Sequence, residues 1–340
     1  MKVRLAEIAE RAGVSIATVS RVLNDKPGVH ERTRRAVLTA VDVLGYDRPA
    51  NLRPQLSGLV GLIVPELENP IFPRFAQLLE TSLAHSGYTP LLCTQSPGGI
   101  HEDDYVETLL ARGVSGIVFV SGMHANTQTE PGRYQRLVGL GMPLVLVNGF
   151  MDDVDAPFVS ADEALASDLA VAHLAHMGHT RIGLATGQPR YQPVIRRVAG
   201  FHAAMRAHVD ADLTDEALDD LVETTYYTIE GGALAAQALL DRGVTALVCG
   251  SDLMALGAIQ AARQRGLAVP RDISVVGSDD SLLVAFTDPP LTTVRQPVAA
   301  MAQATCRVLL EQVAGRQLPA KEQMFVPELV VRGSTARVPG

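Results

Sequence analysis

From Leu59 onward the chain alternates short apolar runs with longer amphipathic segments, and nothing else in the sequence restricts the fold as tightly. Period-two and continuous apolar runs predict strands at 59–65, 88–93, 115–120, 144–148, 181–186, 244–249 and 273–276. Helical spacing predicts helices at about 70–86, 101–112, 131–140, 162–177, 194–207, 229–242, 252–265 and 297–314. Strands that alternate with helices build parallel sheets covered by helices on both faces. Seven or more strands over this length call for two sheets, and so for two similar lobes. Ligands in such folds bind beyond the carboxyl ends of the strands, here in the cleft between lobes.

The first 58 residues read differently. Leu5, Ile8, Ala9 and Ala12 recur at helical spacing until Gly13 breaks the run, and Ser15 is a suitable N-cap for a second helix carrying Val19, Val22 and Leu23. A third helix starts near Glu31, with Val37, Ala40, Val41 and Leu44 on one face, and ends at Gly45. A polar connector with Pro49 and Pro54 follows, up to Gly58. Ala9, Gly13 and Val19 are the small contact residue, the left-handed turn and the packing residue of a helix-turn-helix. The second helix then projects Ile16, Ala17, Thr18, Ser20 and Arg21, short hydroxyls beside one long bidentate donor, a face suited to phosphates and a guanine edge.

Charge supports this division. The net charge of −8 is unpromising for a DNA binder, but residues 1–58 carry ten Lys or Arg against six Asp or Glu, which makes this segment +4 and leaves −12 for the remainder. Exposed charges separated by more than a Debye length of about 8 Å hardly interact, so a basic head on an acidic body keeps its attraction for phosphate.

The stretches VSIATVSRVLN, VHERTRRAVLTAVDVLGY and LVGLIVPELENPIF, followed in order by GHTRIG, RRVAGF, SDLMALGAI, GLAVPRDISVVGSDD and PPLTTVRQP, resemble the LacI/GalR family across nearly the whole chain. The resemblance implies an α/β protein: a helix-turn-helix headpiece (1–46), a hinge (47–58) and a two-lobed, periplasmic-binding-protein-like type I core (59–333) that dimerises, then a tail (334–340). Lobe 1 is expected at about 59–176 and 295–322, and lobe 2 at 177–294 and 323–333. The implied function is that of a repressor that binds a palindromic DNA operator as a homodimer under control of a small-molecule effector, a sugar or other polar metabolite.

By the same resemblance Ile16, Ala17 and Arg21 face bases, while Ser15, Thr18, Ser20, Asn24, Val29, His30 and Thr33 line the DNA backbone. His30 and Arg4 depart from the residues that usually cap helices 3 and 1, so neither cap is expected to follow the family pattern. Leu56, seven residues after Pro49, matches the leucine that wedges into the minor groove. Pro54 would disrupt a hinge helix unless it lay in the first turn, a conflict that capping by Asn51 removes.

For the effector the matching positions are Asn69, Phe72, Asp162, Tyr191, Arg197, Tyr226, Ser251, Asp252, Asp279 and Gln296. They combine a planar fork of donors, carboxylate acceptors and flat aromatic faces, with Arg197 and Asp162 expected on opposite sides of the cleft. Asp252 and Asp280 equally suit helix capping.

Catalysis is not expected, because the chain has no GxSxG elbow, P-loop, HExxH or dinucleotide fingerprint. No metal or other cofactor is expected either: His173, His176 and His179 read as the end of a surface helix, and Cys93, Cys249 and Cys306 lie far apart as small hydrophobes. No run of 18 apolar residues and no signal sequence is recognisable, so a cytoplasmic protein with no membrane partner is expected.

Overall fold

The computed structural model describes residues 5–24, 26–46, 57–95, 98–316, 319 and 321–338. The chain divides into two compact units, Met1–Ser57 and Gly58–Gly340. The proposed hinge, including Pro49, Asn51, Pro54 and Leu56, and Arg4 at the start of helix 1 lie outside the described residues.

The small unit contains α1 (Leu5–Ala12), α2 (Ile16–Leu23) and α3 (Glu31–Val43). Ile8, Ala9, Val19, Val22, Val37, Ala40 and Val41 form its core. Gly13 takes the left-handed conformation the α1–α2 turn requires, with φ 66°. Ser15 caps α2, its Oγ accepting from the Thr18 amide at 3.1 Å. His30 caps α3 after all: its Nδ1 accepts from the Arg32 amide at 3.2 Å, an imidazole doing the work of the usual short side chain.

The large unit holds two six-stranded sheets. The first contains β1 (Gly58–Val64), β2 (Tyr88–Thr94), β3 (Gly116–Val120), β4 (Leu144–Val147), β5 (Phe158–Ala161) and β11 (Glu322–Phe325), in the order β11-β5-β4-β3-β1-β2, and every pairing is parallel. The second contains β6 (Ile182–Thr186), β7 (Val222–Thr224), β8 (Ala246–Cys249), β9 (Ser274–Ser278), β10 (Thr292–Arg295) and β12 (Glu328–Val330), in the order β12-β10-β9-β8-β6-β7. There only β12 is antiparallel, paired with β10 at the edge.

Helices α4 (Ile71–His85), α5 (Glu102–Ala111), α6 (Gly132–Gly139) and α12 (Val298–Val313) cover the first sheet. Helices α7 (Glu163–His176), α8 (Gln192–His208), α9 (Asp215–Asp219), α10 (Ile229–Asp241) and α11 (Asp252–Gln264) belong to the second. The chain crosses from the first lobe to the second directly after β5, at Ala161–Asp162, not at 176. The reason is packing: Ala170, Val171 and Leu174 of α7 lie in the core of the second lobe. The return crossing falls between β10 and α12, and the last between β11 and β12.

Five short strands and α9 have no counterpart in the expected pattern. β10 shows why. Thr292 and Thr293 are polar in sequence yet fully buried, because the Thr293 hydroxyl donates to Asp252, the Thr292 amide donates to Ser334 Oγ, and the Thr292 hydroxyl accepts from the Arg332 amide. Similarly, His179 is not on the surface. It is buried, with its ring nitrogens bonded to Thr245, Ser274 and the Ala336 carbonyl, and so ties the C-terminal segment to the second lobe. The three cysteines are buried and unbridged.

Helices α10 and α11 approach so closely that a Cβ on Gly257 would strike the Ile229 carbonyl, whereas one on Gly139 of α6 would meet open space. Gly257→Ala is therefore predicted to destabilise the protein, since overpacking costs about 1–3 kcal/mol and outweighs the roughly 1 kcal/mol that alanine gains over glycine in a helix. Gly139→Ala is predicted to be neutral or stabilising. Urea denaturation of the two variants checks both.

Candidate DNA-reading face and effector cleft

The candidate reading face of the head lies on α2. Val19 and Val22 turn into the core, which leaves Ile16, Ala17 and Arg21 exposed and Thr18 and Ser20 half-buried. Two hydroxyls hold the start of this helix, with Ser15 Oγ and Thr18 Oγ1 2.9 Å apart. Its end is closed by Asn24, whose Nδ2 donates to the Ser20 carbonyl at 2.8 Å. Val29 and Thr33 are half-buried, and His30 is exposed beyond its cap.

In the large unit the loops after strands of both sheets converge on a cavity of about 310 Å³ between the lobes. Glu66, Ser121 and Asn148 come from the first lobe, following β1, β3 and β4; Gln188, Tyr226, Ser251 and Asp279 come from the second, following β6, β7, β8 and β9. Asn69 and Phe72 reach it from the start of α4, Tyr191 and Arg197 from α8, and Gln296 from the crossing after β10.

Two of the ten expected effector residues do not line this cavity. Asp162 caps α7 instead, its Oδ1 accepting from the Leu165 amide at 2.9 Å, because the crossing places it directly ahead of that helix's unsatisfied amides. Asp252 is buried behind the wall. Its Oδ1 accepts from Thr293 Oγ1 at 2.6 Å, and its Oδ2 from the Ser281 amide and hydroxyl at 2.7 and 2.8 Å. Asp252 thus anchors the loop that carries Asp279. Asp280 caps no helix and is paired with Arg295 and Arg332.

Arg197 and Asp162 do not face each other across the cleft: α7 and α8 both pack in the second lobe, and the partner of Arg197 within that lobe is Glu163, the residue beside Asp162, which the sequence reading passed over. Arg197 donates from Nε to Glu163 at 2.9 Å and from its two terminal nitrogens to Glu163 and to the Gly250 carbonyl, each at 2.5 Å. Both side chains are nearly buried, at 7% and 8% exposure. Burial opposes the arginine's charge, but the adjacent carboxylate outweighs it and holds the guanidinium more firmly protonated than usual. Asn148 and Tyr227 were also missed. Asn148 stands in a left-handed conformation at φ 59°, and Tyr227 is packed against Gly187 and Gly250.

Asp279 is strained and desolvated at once. Its φ is 109°, a region L-residues seldom occupy, and Gln296 Nε2 donates to its Oδ1 at 3.0 Å. Burial first, and the charge of Asp252 second, push its carboxyl well above the ordinary range. Burial likewise raises Asp252 to about 6, more than its hydrogen bonds to Thr293 and Ser281 offset.

The sequence comparisons agree with this arrangement. Residues 4–49 match the model of bacterial regulatory proteins, lacI family, and residues 171–335 that of a periplasmic binding protein-like domain. The chain is 58% identical over 340 residues to the HTH-type transcriptional regulator reg1 of Streptomyces lividans, covering 100% of this chain and 99% of the relative. It is 58% identical to the HTH-type transcriptional regulator MalR of Streptomyces coelicolor, covering 100% and 98%. The chain belongs to the LacI family of transcriptional regulators. Among solved structures it resembles the transcriptional regulator CelR–cellobiose complex, at 29% identity and TM-score 0.72, covering 98% of this chain and 100% of that one. It also resembles the lac repressor dimer bound to operator and the anti-inducer ONPF, at 26% identity and TM-score 0.69, covering 99% and 100%. This LacI-family chain is accordingly a DNA-binding regulator of transcription and not an enzyme.

The buried Asp252 gives the regulator a pH signature. A carboxyl raised in the folded state is tolerated best while protonated, so its contribution is most favourable below the unfolded value of about 3.9 and is lost as pH rises through about 6. Asp252→Asn removes this titration. The stability of the native protein relative to that variant is predicted to fall by roughly 2 kcal/mol between about pH 4 and 7, measured by urea denaturation across that range.

Proposed function

We propose that this regulator is a repressor that binds a pseudo-palindromic operator as a homodimer, and that a neutral saccharide of about disaccharide size in the interlobe cavity sets its operator affinity. The observation that carries the ligand class is the internal neutralisation of the cleft. Arg197 is already paired with Glu163, and the Asp279 carboxyl is held toward its neutral form. An anionic ligand therefore finds no unspent cation on the buried floor; the exposed Arg190, which also lines the cavity, lies over the Tyr191 ring. A polyhydroxylated one finds acceptors and donors at Asn69, Asp279 and Gln296 and flat faces at Phe72, Tyr191 and Tyr226. The cavity volume of about 310 Å³ is at the lower end of the usual ~300–1,000 Å³ for small-molecule sites. A related regulator of 29% identity was solved with cellobiose, which agrees with this size class.

On the DNA side, Arg21, Ile16 and Ala17 read base edges, and Ser15, Thr18, Ser20, Asn24, Val29, His30 and Thr33 hold the phosphates. One head reads only a few base pairs, and two-fold symmetry doubles the contacts. A surface for self-association is present on the second lobe, where Leu282, Leu283 and Phe286 are 82%, 72% and 81% exposed within one short segment. Large apolar side chains grouped in this way mark an interface. No helix among the described residues is long and apolar enough to cross a membrane, and the site of action we infer is the nucleoid in the cytoplasm. Effector and operator are coupled, in this reading, through residues 47–58, with Leu56 in the minor groove, because that stretch is the covalent link between head and core.

Two measurements test the proposal. Arg21→Ala is expected to cost about 1–3 kcal/mol on the operator and to relax preference at one guanine, whereas Thr18→Ala weakens all sequences alike; equal loss on every sequence for Arg21→Ala would reduce it to a phosphate contact. In calorimetric titration, cellobiose and other neutral disaccharides are expected to bind more tightly than sugar phosphates. Phe72→Ala is expected to weaken that binding while leaving ligand-free operator affinity intact. Tighter binding of the phosphorylated sugars would reject the neutral-ligand reading.

A further inference from the structure

A single short segment of the second lobe, residues 190–197, touches the first lobe at two separate places. At the cleft, Thr127 in the loop after β3 donates from its amide and its hydroxyl to the Arg190 carbonyl, each at 2.9 Å. Beside this contact, Asn126 and Tyr191 form an antiparallel bridge. Further along, Arg196 on α8 donates from both terminal nitrogens to Glu322 on β11, at 2.6 and 2.7 Å. The two side chains of this ion pair are 24% and 14% exposed. Beside these contacts Tyr191 and Arg197 face the cavity, with Arg197 engaged by Glu163 rather than by Glu322.

We propose that Arg196 and Glu322 are positioning residues that lock the lobes together from outside the cavity, and that this ion pair, acting with the Thr127–Arg190 bridge, sets how much of the protein is closed before ligand arrives. Three physical features support the lock. The pair is bidentate and largely withdrawn from solvent, so its attraction is stronger and less screened than that of a surface pair. Its partners ride on different lobes, Arg196 on α8 of the second and Glu322 on β11 of the first, which allows lobe rotation to break it. Finally, α8 is continuous from Gln192, so Arg196 and the bridge at 190–191 move as one rigid piece.

A ligand that binds only the closed state gains apparent affinity in proportion to the fraction already closed. The lock therefore tunes effector sensitivity without touching the effector. That regulatory consequence rests on the cavity being the effector site, whereas the lock itself can be examined with no ligand at all.

The Thr127 amide reports closure directly, because its acceptor lies on the other lobe. Hydrogen exchange of the full-length, ligand-free chain is compared for the native protein, Arg196→Met, Glu322→Gln and the charge-swapped pair Arg196→Glu with Glu322→Arg. Each single variant is expected to lose about ten-fold of the protection at Thr127, the size of one charge-assisted hydrogen bond, while α10 and α11 keep theirs. The swapped pair is expected to regain it. Native protection at Thr127 in both single variants overturns the proposal. So does a loss shared equally with α10 and α11, or a swapped pair as unprotected as the single variants.

Discussion

A parallel strand cannot be followed by a hairpin; it must be followed by a crossover, and the chain then re-enters the sheet from the same side. Among the described residues eleven of twelve strands obey that constraint, β12 being the antiparallel exception. The outcome is that the carboxyl ends within each sheet point one way, and the loops after β1, β3 and β4 meet those after β6, β7, β8 and β9 at one cavity. Residues separated by more than two hundred positions, such as Asn69 and Gln296, share a wall for this reason. The crossings at Ala161–Asp162, between β10 and α12, and between β11 and β12 hold the two sheets in one unit.

Within that frame electrostatics decides what the cleft can hold. A buried ion pair such as Arg197–Glu163 contributes little net stability, since desolvation consumes much of the attraction, but its polar atoms fix the geometry of the floor. Asp252 performs a related task one layer out. It holds Ser281 and Thr293 and thereby keeps Asp279 in its strained conformation at the cavity wall. Strain and desolvation are concentrated at the wall of the cavity, as expected when a site is pre-organised at the expense of local stability.

The sequence showed clearly whatever depended on apolar periodicity or on motif spacing. The three helices of the head and seven principal strands of the core follow from such patterns, because a period of 3.6 or 2 is written in the side chains that face a core. The short edge strands were hidden, since they are held by partners distant in sequence: β11 lies against β5, and β12 against β10. Asp162 and Glu163 show the same limit at the site. Which of two adjacent acids caps α7 and which meets Arg197 depends on where the chain crosses between lobes, and no local pattern encodes that. His30 illustrates the converse, a residue type that is uncommon as a cap but whose Nδ1 reaches the same amide a hydroxyl would.

The repeated crossing also bears on how the molecule is made. Met301, Cys306 and Leu309 of α12 complete the core of the first lobe, and β11 closes the edge of a sheet begun by Gly58. A chain emerging from the ribosome from its N-terminus cannot finish that lobe until nearly all of it has been synthesised. The second lobe waits longer still, for Ser334 and Ala336 to bond to Val275 and Ser274. Domains ordinarily fold as units during synthesis. Here only the small head is contiguous, so it can fold while the body that regulates it is still an open sheet with an unpaired edge, exposed to whatever chaperones attend the nascent chain.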